Sequence, residues 1–316
     1  MTSLQFFDPI QVAAALPWDA LIAAIEDVLQ DPNANAPERT VHSIPVEGGD
    51  DAAMLLKPGW VVGDVIAVKA VTFFPDNGVV GLPTINAGVL LFDADNGTFR
   101  GACDGNELTT RRTAAASAVA AKRLARTDAR RLLVVGTGAL APMAALAHAR
   151  VRDYDVVEVW GRDATKAQRV ANSLITKQIN ARQVDDLDAS VAEADVITCV
   201  TGATEPLIKG RLLRPGTHVD LIGSFTPTMR ESDDDVVRGA TIVADTRTDG
   251  IIAGDLAQPL QAGVITMDDI VADLAELARG THPGRTNDGE ITVFKSAGIA
   301  LEDVAAARLV FSPTQP

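Results

Sequence analysis

Two cysteines, Cys103 and Cys199, are all that this 316-residue chain contains. They stand far apart in apolar surroundings, so neither a disulfide framework nor a zinc-type spacing is present, and a reducing compartment is expected. Positive charge is also scarce: 28 Lys and Arg against 42 Asp and Glu leave a net charge of −14. That deficit argues against a nucleic-acid partner. It leaves an anionic small substrate open, provided cations are gathered locally. No apolar run approaches the roughly 18 residues of a membrane span, and no basic stretch with an apolar core opens the chain. The expectation is a cytoplasmic protein with no membrane partner and no metal. Against these absences stand 47% hydrophobic and 22% charged residues, the balance of a soluble globular protein. The length suggests two domains, each with its own core.

The pattern along the chain changes character once. Asp8-Pro9 followed by residues 10–16 predicts a short capped helix, and Pro17-Trp18-Asp19 starts a second with Leu21, Ile22, Ile25, Val28 and Leu29 on one face. Residues 31–38 form a polar loop. Short β-like runs follow at 40–44, 53–56, 61–71 and 89–92, bounded by Pro75-Asp76-Asn77-Gly78 and Asp93-Ala94-Asp95-Asn96-Gly97. This predicts an antiparallel, meander-like region. Residues 109–126 turn helical and Ala-rich, with Thr109 or Thr110 as N-cap and Arg111-Arg112 in the first turn. Cations there oppose the helix dipole, an arrangement that makes sense if an anion sits beside them.

Strand and helix then alternate. Strands are predicted at 131–135, 156–160, 194–200, 218–223 and 241–244, and helices at 165–175, 256–262 and 267–279. A strand at 289–294 and a helix at 301–311 close the chain. The alternation is that of a doubly wound parallel sheet. Its first strand runs Arg131-Leu132-Leu133-Val134-Val135 straight into Gly136-Thr137-Gly138-Ala139-Leu140-Ala141, a G-x-G-x-x-A turn opening a helix. Gly136 permits the sharp turn, Gly138 lets backbone approach a pyrophosphate, and Ala141 keeps helix and sheet close. Free N–H groups at the helix start complete an anion site. The second strand ends Val159-Trp160-Gly161-Arg162-Asp163. An acid near this point binds the ribose 2′-hydroxyl of NAD, whereas an Arg accommodates the 2′-phosphate of NADP. Arg162, with Lys166 one turn on, favours NADPH, and NADH stays possible through Asp163, which is also placed to cap the next helix. Thr201 and Ser296 complete the predicted cofactor set.

Several further segments stand together: Val68-Lys69-Ala70-Val71, Gly81-Leu82-Pro83-Thr84, Cys103-Asp104-Gly105-Asn106-Glu107-Leu108-Thr109, Arg112-Thr113-Ala114-Ala115-Ala116-Ser117-Ala118 and Val293-Phe294-Lys295-Ser296-Ala297-Gly298-Ile299-Ala300-Leu301-Glu302-Asp303. In order and spacing, over about residues 39–311, they resemble the ornithine cyclodeaminase/μ-crystallin family. The resemblance implies a homodimer and an α/β fold: a Rossmann doubly wound domain, residues 116–289, plus an α+β substrate and dimerisation domain, residues 1–115 and 290–316. It implies that Lys69, Arg112 and Arg39 line the substrate pocket. An α-carboxylate suits the bidentate fork of an arginine, and a desolvated Lys69 would be the catalytic proton donor.

One departure carries information. Cyclodeaminases of this family place an acid after the glycine of the fifth Rossmann strand, in a G-x-D-x-P setting, where it activates water. Here the segment is Gly223-Ser224-Phe225-Thr226-Pro227-Thr228-Met229-Arg230-Glu231, with Phe225 in that place. Phenylalanine is no base. The wording resembles the branch that reduces Δ1-pyrroline-2-carboxylate to L-proline and Δ1-piperideine-2-carboxylate to L-pipecolate. The expected activity is therefore reduction of a cyclic imino acid, with Thr84, Ser224 and Thr226 as secondary substrate-binding hydroxyls. Ornithine cyclodeamination, an alanine dehydrogenase-type reaction and a non-enzymatic NADPH-binding role are the alternatives. His42, close to Arg39, is a marginal pocket candidate, and His148 ends an Ala-rich helix.

Overall fold

The computed structural model of the protein describes residues 5–312. The chain forms two compact units, one from the residues up to Arg112 together with those from Ile299 onward, the other Thr113–Gly298. In chain order the first unit holds β1 (Gln5–Phe7), α1 (Pro9–Ala15), α2 (Trp18–Gln30), β2 (Ala34–Asn35), β3 (Thr40–Ile44), β4 (Ala52–Val61), β5 (Val65–Phe73), β6 (Ile85–Asp93) and β7 (Phe99–Asp104). Helix α3 (Gly105–Leu124) carries the chain across the boundary. The second unit holds β8 (Arg131–Val135), α4 (Leu140–His148), β9 (Val156–Trp160), α5 (Ala164–Ile175), β10 (Ala181–Gln183), α6 (Leu187–Glu193), β11 (Val196–Cys199), β12 (His218–Leu221), α7 (Asp234–Val237), β13 (Thr241–Ala244), α8 (Gly254–Gln261), β14 (Ile270–Asp273), α9 (Leu274–Arg279) and β15 (Thr292–Lys295). Helix α10 (Ala300–Val310) returns to the first unit. Among the described residues no helix is long and apolar enough to cross a membrane.

The first unit is a sheet ordered β1-β7-β6-β5-β4-β2, with β3 also on β4. Pairing from β4 to β7 is antiparallel, and β1 joins β7 in parallel. Gly63, at φ +77°, turns β4 into β5 and divides the predicted run 61–71. One face of the sheet turns Lys57, Gly59, Ala67, Lys69, Val89 and Cys103 inward. There α10 comes so close that a Cβ on Gly59 would stand 2.9 Å from Val304. The other face carries Met54, Leu56, Ile66, Val68, Ala70 and Leu90 and is half-exposed. His42 pairs with Met54, so its side chain lies on this outer face, bonded to Thr40 and away from the lysines.

The second unit is the doubly wound sheet, ordered β10-β9-β8-β11-β12-β15-β13-β14, with every pair parallel. Strand β8 lies inside the sheet with β9 and β11 on either side, and four of its five residues are buried. That explains its unbroken apolar run.

Local chemistry moves several predicted boundaries. Helix α3 begins at Gly105, because the Asp104 carboxylate accepts from the Glu107 N–H at 2.7 Å. Neither Thr109 nor Thr110 is the cap, and Arg111 and Arg112 fall in the second turn. The predicted helix 267–279 is a 3-10 turn, strand β14 and then α9. Asp273 and Glu276 form a capping box that sets the true helix start. Residues 290–298 belong with the second unit, since β15 lies between β12 and β13.

Candidate active site

In the first unit the hairpin geometry sets two lysines face to face. Lys57 on β4 and Lys69 on β5 are register partners on the inner face, 6% and 1% exposed. Arg112, 3% exposed, arrives from α3, and Glu302 and Asp303 from the first turn of α10. Lys69 Nζ lies 2.7 Å from Asp303 Oδ1, and Arg112 Nε 2.9 Å from the same oxygen. Arg112 Nη1 donates to Glu302. Half-buried Arg39 is close enough to press on the Lys57 ammonium. Burial, then the Arg112 charge, pulls the Lys69 ammonium well below its usual range, against the opposing pull of Asp303. Lys57 is lowered for the same two reasons. Burial would raise Asp303, but Arg112, Lys69 and Lys57 outweigh it and hold the carboxyl below the usual range. A site with cations in excess, one of them primed to lose a proton, is suited to holding an anion and moving a proton.

The structure separates the two adjacent arginines. Arg111 pairs with Glu107 at 2.6 Å, reaches the Leu16 carbonyl and lies over the Trp18 ring, so it fastens α3 to α2. The anion predicted beside this pair exists, but the protein supplies it as Glu107, Glu302 and Asp303. Thr84 is half-buried directly before β6, and its carbonyl accepts from Phe74 N–H.

The second unit presents a cleft of about 520 Å³ at the C-terminal ends of β8, β9 and β11. Its floor is the glycine turn. Gly136 has φ +132°, and a Cβ there would stand 2.8 Å from the Val200 carbonyl oxygen. A Cβ on Gly138 would meet nothing within 4 Å. That space is open for a phosphate. Ala139 is the N-cap of α4 and has no side chain to bond the first N–H groups, and Leu140 begins the helix. Ala141 is fully buried against the sheet. Thr137 lines the cleft and packs on Gly161, where a Cβ would fall 2.4 Å from Thr137 Cγ2 and force the threonine to move. Arg162, Asp163 and Lys166 stand at the rim. Asp163 caps α5 through the Lys166 N–H. An open Gly138, an uncapped helix start and two rim cations fit a dinucleotide.

Three predicted hydroxyls are engaged by side chains of the protein itself. Ser224 is fully buried; its Oγ donates to Asp255 and accepts from Lys295 Nζ at 2.6 Å. Ser296 donates to Asp245, which also takes the Ala297 and Gly298 N–H groups. Thr201 lines the cleft, yet both its N–H and its hydroxyl bond Glu231. Glu231 accepts from Gly223 and Ser224 as well, and Asp255 accepts from the Glu231 and Ser232 N–H groups. Burial, then Asp255, pushes Glu231 up to about 7. Thr226 and Phe225 are half-buried in the loop this network holds, with Thr226 Oγ1 3.2 Å from Thr228 Oγ1. His148 is fully buried between Asp220 and Ser117.

Sequence reasoning missed Lys57 and Asp255, and quoted Glu231, Lys295, Glu302 and Asp303 without giving them a role. For Lys57 a signal existed. Lys57 and Lys69 lie equally far from Gly63, so a tight hairpin at that glycine pairs them.

A profile of the ornithine cyclodeaminase/mu-crystallin family matches residues 10–315. A Δ1-pyrroline-2-carboxylate reductase of Paracoccus denitrificans is 37% identical over 266 residues, covering 83% of this chain and 84% of that protein. The Thermococcus litoralis Δ1-pyrroline-2-carboxylate reductase, solved with NADH and L-proline, superposes with a TM-score of 0.91 at 31% identity, covering 98% of this chain and 96% of that one. An archaeal alanine dehydrogenase dimer with bound NAD gives a TM-score of 0.90 at 27% identity, covering 98% and 95%. With its two-lysine hairpin, its arginine on α3 and its open glycine turn, the chain belongs to the ornithine cyclodeaminase/mu-crystallin family.

Proposed function

We propose that this protein is an NAD(P)H-dependent imine oxidoreductase acting on cyclic ketimine carboxylates. It takes Δ1-pyrroline-2-carboxylate to L-proline and Δ1-piperideine-2-carboxylate to L-pipecolate, with NADPH preferred to NADH. The observation that favours reduction over deamination is the loop after β12. Adding water to an iminium carbon needs a base. This loop has Phe225 where cyclodeaminases carry an acid, and the nearby Glu231 and Asp255 are buried and engaged by backbone N–H groups.

Reduction asks less of the protein. Arg112, Lys69 and Arg39 hold the carboxylate, and the half-buried Thr84 adds a hydroxyl. The bound nicotinamide supplies hydride to the imine carbon. Lys69 supplies the proton to nitrogen, a role suited to an ammonium whose hold on its proton is weakened by burial and by Arg112. Gly136, Thr137, Gly138, Ala139, Leu140 and Ala141 receive the pyrophosphate, and Arg162 and Lys166 the 2′-phosphate.

Consumption of NADPH with freshly generated Δ1-pyrroline-2-carboxylate, against ammonia release from ornithine, tests the reaction. Ammonia release without imine reduction would refute it. The likeness to the archaeal alanine dehydrogenase makes reductive amination of a 2-oxo acid the second reading, which turnover of pyruvate with ammonia would establish. NADPH binding with no turnover on any of these would leave a binding protein. For the cofactor, Arg162→Ala should lower the ratio of kcat/KM for NADPH over NADH; an unchanged ratio refutes the assignment.

The protein further acts as a homodimer, with the outer sheet face of the first unit as the interface. Met54, Leu56, Ile66, Val68, Ala70 and Leu90 make that face apolar, although the single chain leaves it half-exposed.

A further inference from the structure

Lys57 has no part in the reaction as written above, and its position calls for one. It and Lys69 stand directly opposite on adjacent antiparallel strands, on the buried face of the sheet. Like charges so placed repel. The other inward residues of this face, Val65, Ala67, Val89 and Leu91, are apolar, and an apolar side chain is the ordinary choice at such a point. Around the lysine pair stand Arg112 from α3 and Glu302 and Asp303 from α10, with Arg39 beyond Lys57; Cys103 lies on the same inner face two strands from Lys69, across Val89. Cys103 stays a neutral thiol, pushed up to about 12 by burial and then by Asp104 and Asp303. Arg112 and Arg39 thus add their charge to that of the two lysines, while Asp303 and Glu302 oppose it. Arginine does not release its proton. Relief of the excess charge falls to the lysine pair.

We propose that Lys57 is a positioning residue for the proton step: its ammonium, held opposite Lys69, drives Lys69 to surrender its proton to the substrate nitrogen. The proposal rests on the reading of Lys69 as proton donor. In that step an Nζ–H bond of Lys69 breaks and an N–H bond forms at the imine nitrogen. The bonding pair returns to Nζ, and the neutral amine regains a proton from solvent. Hydride arriving at carbon from the nicotinamide completes the reduction of C=N to CH–NH. Asp303, which bonds Lys69 at 2.7 Å, keeps the proton from being lost before substrate arrives. Lys57 supplies the opposing push.

The test reads Lys69 directly. Full-length protein labelled with ¹³C-lysine is titrated by NMR with and without NADPH, and the Lys69 resonance is identified by its loss in Lys69→Met. In Lys57→Met and Lys57→Gln the Lys69 midpoint should rise by about one pH unit or more. Lys57→Arg, which keeps the charge, should leave it where it is in the wild type. In imine reduction the alkaline limb of kcat should move upward by the same amount, with little change in KM. A Lys69 midpoint unmoved in folded Met and Gln variants overturns the proposal. So does a large rise in KM with the limb unmoved, which would make Lys57 a carboxylate ligand. If the wild type reduces no cyclic imine while the midpoint still moves, the coupling of the two lysines stands and the assigned reaction falls.

Discussion

Arg111 and Arg112 are neighbours with opposite fates. Successive residues on a helix point about 100° apart, so Arg111 faces α2 and Trp18 while Arg112 faces α10 and the lysine pair. Deleting Arg112 would strand Glu302 and Asp303, and breaking such a buried pair costs about 3–5 kcal/mol. The informative change is therefore Arg112→Lys, which keeps the charge and loses the fork. It should lower kcat/KM for the imino acid on the order of ten- to a hundredfold, the worth of one charge-assisted hydrogen bond. Cofactor affinity in fluorescence titration should stay unchanged. Equal losses in both would show that Arg112 only holds the fold. Arginine as the carboxylate ligand was legible from the sequence. The family resemblance also singled out Arg112 over Arg111; what the sequence did not show is that Glu302 and Asp303, 190 and more positions away, hold it.

At the level of elements, the β8–α4 turn contains two glycines needed for different reasons. Gly136 answers to the fold: a side chain there meets the Val200 backbone and suffers a disfavoured φ. Gly138 does not: a side chain there would face open space, and on the proposed reading that space is the ligand's. Gly136→Ala should lower the melting temperature clearly. Gly138→Ala should melt like the wild type and yet lose NADPH binding. If Gly138→Ala binds NADPH normally, the phosphate does not lie over that residue. The G-x-G-x-x-A spacing marked both positions, but only the packed sheet shows which one touches the protein and which the solvent. The same holds for Ser224 and Ser296. Their hydroxyls bond the buried Asp255, Lys295 and Asp245, partners 31 to 71 positions away along the chain.

For the whole molecule, association and acid stability are the testable properties. Sedimentation should give twice the 33.1 kDa chain mass, and Leu90→Lys on the outer sheet face should shift it toward the single-chain value. A single-chain mass for the wild type would remove the dimer. Acid stability turns on Asp220, buried between His148 and His218. Burial raises its pKa, but the His148 hydrogen bond and the His218 ring 3.3 Å away win and hold it far below the usual range. Its stabilisation is present above the unfolded value of about 3.9 and is lost as pH falls through the folded one. Burial also lowers His218, whose contribution is complete above about 6.5 and fades as pH drops through its folded value. Both signs agree. The melting temperature should fall as pH drops below about 6.5, and His218→Asn should flatten the first part of that fall. A melting temperature constant from pH 7 to 4 would contradict it.

By itself the sequence determined what depends on neighbours along the chain: the αβ alternation, the glycine turn, Arg162 at the end of the second strand and Phe225 in place of an acid. Periodicity, turn chemistry and side-chain type are local, and they survive in one dimension. Tertiary structure alone decided which groups meet. Lys69 and Asp303 are separated by 234 positions and lie 2.7 Å apart, and Lys295 reaches Ser224 across 71 positions. Those encounters follow from where strands stack and how closely a helix approaches a sheet. They set burial and the balance of charge, and with them which lysine holds its proton loosely.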